Sequence, residues 1–372
     1  MFADKTVVFF SAVPWNGLYA RPQQISHRLV SRGARVLFVE PPWTYLSPIR
    51  RPELFSTWWK SERLHVLSHS LAVYTPHPML PGANLARPIN RMNQRSLHAE
   101  VRNAAEKLGW SVDLLWSHLP GTADWPADTP ILYECVDNHV AFGGLSRAEA
   151  VVAMEDALLK RANSVFATSG SLLARCRTVR PDTCLVPNGA DYEHFASAGG
   201  KPMGKAVWVG FYGGIGAWLD LQLVFATARL MPDARFTMLG PVEPGAELGG
   251  APGNIEFPGL KPYHELPAML AQFDVVMIPF KVSTLTEAVN PIKLYEYFAA
   301  GKPTVVTALP ELVKFSPLVY VVSNPEEFRA GITAALHEST ELVEQRKSVA
   351  RAASWDARLD EIERHSGGEL FG

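Results

Sequence analysis

Short apolar runs of strand length alternate with helical patterns along almost the whole chain, and the alternation occurs in two series. The first runs from "TVVFFSA" (6–12) through an amphipathic stretch, Arg21 to Arg32, to "RVLFVE" (35–40). Ile25, Leu29 and Arg32 mark the turns of that stretch, and Pro22 opens it as a first-turn proline. A long helix is predicted next, with Leu85, Ile89, Met92, Val101, Ala104 and Leu108 close to one stripe. Then come "DLLWS" (113–117), "PILYE" (130–134), a helix near 146–162, "SVFAT" (164–168), a further helix and "TCLVP" (183–187). "FASAGGKPMGK" (195–205) has the small, glycine-rich composition of a linker. The second series follows: "AVWVGFY" (206–212), helix 217–231, "RFTMLG" (235–240), "NIEFPG" (254–259), helix 264–272 and "DVVMIP" (274–279). It continues with a helix from 290, "TVV" (304–306), "LVYVV" (318–322) and two closing helices. Apolar strands separated by helices predict parallel sheets covered on both faces. Two such series predict an α/β protein with two doubly wound, Rossmann-like domains facing one cleft. The first is expected over residues 1–195, the linker over 196–205, and the second over 206–353. Ligands of such sheets sit at the carboxyl ends of the strands, so the motifs should lie in strand-to-helix loops.

The totals narrow the function. At 372 residues, 47% of them hydrophobic, the chain can build two substantial cores. Lys and Arg number 35 against 37 Asp and Glu, a balance that argues against nucleic-acid binding as the main task. Cys135, Cys176 and Cys184 show no metal spacing and cannot all pair, as expected of a reducing, cytoplasmic setting. No stretch reaches the roughly 18 consecutive apolar residues of a membrane span. "STWWKSERLH" (56–65) sets two tryptophans beside Lys60 and Arg63; a loop packed on its own domain is the plainer reading, and peripheral membrane contact stays open.

"NPIKLYEYFAAGKPTVV" (290–306) reads as one helix between a loop and a strand. Asn290 is placed to cap it, Pro291 to occupy its first position, and Gly301 to supply a left-handed exit before Pro303. Lys293 then falls in the first turn, where the helix dipole and free N–H groups already present positive charge. One explanation is a surface pair with Glu296 at i+3. The other is a phosphate held jointly by the helix start and the ammonium. The preceding loop, "FKVSTLTEAV" (280–289), follows a buried strand and carries Lys281, Ser283, Thr284 and Thr286, which favours the phosphate. Glu296, one turn further along, could accept hydrogen bonds from two hydroxyls of a ribose. Together these describe a nucleoside diphosphate lying over the helix start.

That segment resembles the donor-site signature of GT-B glycosyltransferases, in particular family 4 and its relatives in surface-polysaccharide synthesis. "RPQQISHRLVSRGARVLFVEPP" (21–42) resembles the first helix and second strand of their acceptor domain. "LVPNGADYEHF" (185–195) resembles the segment closing their N-terminal domain, and "VGFYGGIGAWLDLQLV" (209–224) the first strand and glycine turn of their donor domain. The resemblance implies that Glu296 holds the nucleotide ribose and that Gly213 and Gly214 form the turn near the diphosphate. It implies that His118 lies near the donor sugar, with His139 in "ECVDNH" competing, and that either histidine can be structural. Gly17 and Arg21 would lie where acceptor and diphosphate meet; Arg21 can equally point to solvent. The final stretch, 354–372, would return to the N-terminal domain.

Two departures from the family pattern matter. Relatives carry a glutamate eight positions before the one matching Glu296; here Ala288 stands there and Glu287 one position earlier, so Glu287 is a candidate for the catalytic role only through a loop shift. Relatives also place an Arg and a Lys after the glycine turn, whereas "GGIGAWLDLQ" (213–222) has no cation. Lys293, with Lys281, would supply the missing charge. No Asp-x-Asp metal site stands in a suitable loop, and neither a metal nor a cofactor is expected. The expectation is a hexosyltransferase-type enzyme, retaining and metal-independent, that moves a sugar from a nucleotide-sugar donor, UDP first, to a saccharide or lipid-linked acceptor. Two alternatives share the scaffold: a nonhydrolysing sugar-nucleotide epimerase, for which no acid and base pair is assignable, and a catalytically silent binding subunit.

Overall fold

The computed structural model describes residues 1–50, 52–55, 62–141, 147–197, 206–367 and 370. Contacts divide the chain into two compact units, Met1–Val186 with Leu359–Gly372, and Pro187–Arg358. The unit boundary therefore precedes the expected one at 195. Residues 187–197 pack with the second unit, and 198–205 of the expected linker lie outside the described residues.

Unit 1 is built on β1 (Thr6–Phe10), β2 (Arg35–Val39), β3 (Leu64–Ser68), β4 (Leu71–Tyr74), β5 (Leu114–Ser117), β6 (Ile131–Cys135), β7 (Ser164–Ala167) and β8 (Cys184–Leu185). Their order across the sheet is β3-β4-β2-β1-β5-β6-β7-β8. All neighbours are parallel except β3 and β4, an antiparallel edge pair absent from the sequence reading. β1 is buried throughout, as a central strand covered on both faces requires.

The long helix, Arg87–Lys107, does not bury the expected stripe. Leu85 and Met92 are exposed, and the inward face of its first half is amide-rich instead, with Asn90, Asn93 and Gln94 buried. Those amides are bonded: Asn90 Nδ2 donates to Gly121 O at 2.8 Å and Asp124 Oδ2 at 2.9 Å, and Asn93 Nδ2 to Leu80 O at 2.9 Å. A polar side chain satisfied by loop groups can be buried where periodicity alone expects an apolar one.

Unit 2 contains β9 (Trp208–Tyr212), β10 (Arg235–Leu239), β11 (Ile255–Gly259), β12 (Val275–Ile278), β13 (Thr304–Thr307) and β14 (Val319–Val322). They pair in the order β11-β10-β9-β12-β13-β14, all parallel. This is the doubly wound order in which the chain reverses direction across the sheet between the first and fourth strands. The crevice beyond the carboxyl ends of β9 and β12 is its topological switch point. The chain ends in three helices, Pro325–Ala335, Thr340–Ala352 and Trp355–Ser366, rather than two. The last straddles the unit boundary, and residues 359–372 group with unit 1. Arg32 there forms an ion pair with Asp360 at 2.7 Å.

The segment 187–197 is fixed within unit 2 by backbone and side chain. Ala190 bridges Ser354 in parallel, with Ala190 N donating to Ala353 O at 3.1 Å. Gly189 is required here, because a Cβ would stand 2.3 Å from Ala353 O.

Candidate functional site

In unit 2 the crevice begins where β9 ends, at Gly213. Its φ is +134° and its N–H donates to Leu239 O at 2.9 Å. Gly240, at the end of β10, has φ +141°, and a Cβ on it would lie 1.9 Å from Gly213 O. Two glycines thus let adjacent strand ends pass at backbone contact. The Gly214 N–H, by contrast, makes no hydrogen bond among the described residues.

The helix across this crevice is Ile292–Ala299, one residue later than expected at its start. Pro291, not Asn290, stands at the cap position, with no side-chain cap. Asn290 is instead a buried crosslink: Oδ1 accepts from Asn188 N at 2.9 Å, and Nδ2 donates to Glu311 Oε2 at 2.6 Å and Tyr295 Oη at 3.2 Å. Asn188 Nδ2 in turn donates to Asn290 O at 2.6 Å. Both amide hydrogens and one lone pair of Oδ1 are thus used within the fold. Gly301 ends the helix at φ +68°, as expected.

Lys293 is half-buried and leans over the glycine turn. A Cβ on Gly213 would lie 3.2 Å from its Nζ. The ammonium stands over the rings of Phe211 and Phe280, at 5.3 and 5.0 Å from their centroids. No carboxylate lies within ion-pair distance of it among the described residues. Burial lowers its pKa from 10.5 to about 8, partly opposed by the charge of Glu296. A surface pair with Glu296 is therefore excluded.

Glu296 is buried and accepts a hydrogen bond from Tyr212 Oη at 2.7 Å on Oε2. Oε1 accepts nothing among the described residues. Burial raises its pKa to about 7, against the Tyr212 hydrogen bond and the Lys293 charge; Asp191 adds to the rise. Tyr297 Oη accepts from Tyr212 N at 3.2 Å, holding the end of β9 against the helix.

Lys281 reaches Glu247 at 3.7 Å, the lysine partly and the glutamate largely exposed to solvent. Glu287 is exposed on a short 3-10 turn, Thr286–Ala288, closed by its own N–H to Ser283 O at 2.9 Å. Thr286 is consumed by that loop, donating to the Lys281 carbonyl.

In unit 1 the switch point lies between β1 and β5, and His118 directly follows β5. It is buried, with Nε2 2.8 Å from Glu134 Oε2 and its ring edge-on to Phe9. His139 is its neighbour: burial first, and the His118 charge second, lower the His139 pKa to about 4. The two competing histidines occupy one place. Asp137, two residues before His139, has its pKa raised to about 7 by burial.

Arg21 does not point to solvent. It is buried at the start of helix Arg21–Ser31 and paired with Glu134 at 2.5 Å. Glu134 was not singled out in the sequence. Gly17 lies in the loop between β1 and that helix, a loop held by Gln23 Nε2 donating to Pro14 O at 2.9 Å. Trp58, Trp59 and Lys60 lie outside the described residues; Arg63 is buried and donates to Pro76 O at 3.1 Å. Among the described residues no group of three or more His, Cys, Asp or Glu is placed to hold a metal ion.

Residues 209–338, from β9 past the Lys293–Glu296 helix to just beyond helix Pro325–Ala335, match the family described as glycosyl transferases group 1. The fold is of the GT-B type, and within it residues 209–338 carry the likeness to this glycosyltransferase family. A Bacillus subtilis (strain 168) protein named as the teichuronic acid biosynthesis glycosyltransferase TuaH is 29% identical over 265 residues. That alignment covers 64% of this chain and 66%, just under two thirds, of the relative. Solved GT-B structures match over nearly the full length. Sucrose-phosphate synthase from Thermosynechococcus elongatus aligns with a TM-score of 0.72 at 14% identity, over 97% of this chain and 98% of that one. Anabaena HepE, in complex with UDP and glucose, aligns with a TM-score of 0.65 at 13% identity, over 97% and 99%.

Proposed function

We propose that this GT-B protein transfers a sugar from a nucleoside diphosphate donor to a saccharide acceptor during surface-polysaccharide assembly. The carrying observation is the Lys293 ammonium, poised over the Gly213 turn with no carboxylate among the described residues within ion-pair distance. A diphosphate over the turn would take this cation and the open Gly214 N–H, and the ribose would meet Glu296 Oε1. As the bond to the transferred sugar breaks, negative charge grows on the diphosphate. A cation and N–H groups already aimed at it stabilise that charge without reorganisation, so the chemistry needs no metal. UDP is the favoured nucleotide: HepE was solved with UDP and glucose, and an E. coli trehalose-6-phosphate protein with UDP-2-fluoro glucose. We assign the acceptor to unit 1, with His118 as its saccharide-contacting group, and retention as the stereochemical outcome. The family match favours transfer over epimerisation.

A lipid-linked acceptor and peripheral membrane contact belong to the same reading. Tyr45, Leu46, Ile49 and Phe55 are all exposed within one short stretch of unit 1, an arrangement that suits shallow insertion between headgroups. Calorimetric titration with UDP, GDP, dTDP and ADP, beside the matching nucleosides, tests the donor site. One diphosphate should bind at least tenfold more tightly than its nucleoside, and Lys293→Ala should abolish the difference. Equal affinities in the parent protein would remove the basis of the proposal.

A further inference from the structure

Where the chain enters β5 and β6, at the opposite end of the unit 1 strands from His118, lies a pocket of about 500 Å³. That volume is in the range of small-molecule sites. His98, Arg102 and Glu106 line it from the second half of helix Arg87–Lys107, at the four-residue spacing that sets side chains on one face. Trp110 lines it from just beyond the helix end. Gly109 there has φ +69°; its N–H donates to Glu106 O at 3.0 Å, and that of Trp110 to Ala105 O at 2.9 Å. This glycine-dependent exit folds Trp110 back toward the last turn of the helix. Trp125 and Thr129, on the chain leading into β6, add to the lining.

The walls are held in place while their polar groups are left open. Trp125 is buried and backed by Phe10, 5.2 Å away between ring centroids, and its carbonyl accepts from Arg161 Nη1 at 2.6 Å. His98 meets the Trp125 ring nearly at right angles, with centroids 5.0 Å apart. Among the described residues, the indole N–H groups of Trp110 and Trp125, the His98 ring nitrogens and the Thr129 hydroxyl make no hydrogen bond. Charge is balanced. Arg102 Nε stands 3.5 Å from Glu106 Oε1, and burial, followed by the Arg102 charge, lowers the His98 pKa and keeps the ring neutral.

We propose that this pocket is a second, noncatalytic saccharide site that holds a short neutral stretch of the acceptor polysaccharide. An indole face suits the C–H face of a pyranose, and the open N–H and hydroxyl groups suit its hydroxyls. An acyl chain in the same space would leave those polar groups desolvated and unpaired. An anion would find Arg102 already met by Glu106. The proposal rests on the reading of the protein as a transferase that extends saccharides, yet it uses no residue of the donor crevice. A second hold on a long acceptor keeps its local concentration high between transfers.

Titration of the full-length 15N-labelled protein with maltotriose, cellotriose and chitotriose tests it through the tryptophan indole N–H resonances. At least one trisaccharide should shift the Trp110 and Trp125 signals saturably. If none does, the proposal is wrong, whatever UDP does in unit 2. A trisaccharide that moves only the signal of Trp116, whose Nε1 donates to Glu134 beside His118, would also overturn it. Octanoate and inorganic phosphate stand for an acyl chain and an anion; either one shifting both indoles where the trisaccharides do not would give the pocket to another ligand class. Trp110→Ala, at a half-buried position, should weaken the binding read at Trp125 roughly tenfold, and Trp110→Phe should restore much of it. An unmoved Trp116 signal marks unit 1 as folded in each variant. Should Trp110→Ala lose that signal, Thr129→Val deletes one open hydroxyl with little change of shape and should weaken binding several-fold. Unchanged affinity in the folded variant would show that the sugar binds elsewhere. If the indole shifts appear and no nucleoside diphosphate binds, the donor-site reading fails by itself.

Discussion

Lys293 and Glu296 have pKa values pushed toward one another, to about 8 and about 7, the first by burial of an ammonium and the second by burial of a carboxylate. The proposed donor contacts need Lys293 charged and Glu296 ionised. Diphosphate affinity should therefore be greatest between those two values and fall on either side. Calorimetric titrations from about pH 5.5 to about pH 9.5 measure this, and Lys293→Met should flatten the alkaline side alone. The same shift carries a stability consequence of definite sign. The folded state holds the Glu296 proton more tightly than the unfolded chain, so its stabilising effect is complete below about 4.5 and lost as pH rises through about 7. Glu296→Gln should remove that part of the slope in urea denaturation across the window. Lys293 could be found from sequence because a cation in a first helical turn breaks a local rule. Glu134 could not. Its partner Arg21 lies 113 positions away, and a glutamate inside a strand carries no mark of what it will face.

The strand-to-helix turns carry the next level of prediction. Gly213 and Gly240 both have φ values that side chains avoid, but they differ in what a methyl group would meet. At Gly213 it meets the flexible end of Lys293, at 3.0 Å; at Gly240 it meets backbone, at 1.9 Å. Gly213→Ala should cost about 1–3 kcal/mol of stability and weaken diphosphate binding through displacement of the ammonium. Gly240→Ala should cost more, because the ends of β9 and β10 must separate; chemical denaturation ranks the two. Most elements were legible from apolar periodicity, since parallel strands covered on both faces leave continuous hydrophobic runs. The β3–β4 pair was missed for the converse reason. β3 lies at the sheet edge with Val66 and Leu67 exposed, so its residues carry no buried-face pattern.

For the whole molecule, the two-domain plan was readable but its boundary was not. The glycine-rich composition at 195–205 reads as a linker, whereas contacts place the divide at 186/187. What ties 187–197 to unit 2 is long-range: the Asn188–Asn290 exchange, the Ala190–Ser354 bridge and Arg351 Nη2 donating to Tyr192 Oη at 2.7 Å. A fragment spanning 187–358 should accordingly fold and bind nucleoside diphosphate, while one spanning 206–353 should be less stable in thermal melts. Arg358 Nε donates to Asn188 O at 3.1 Å, so the chain enters unit 2 and leaves it at nearly one point. Unit 2 is thus an insertion whose two ends meet, between the two segments of chain that make up the first unit. A module of that kind can be excised, circularised through a short link from 358 to 187, or exchanged between hosts as a cassette. Nucleotide preference and acceptor preference would then be separately heritable.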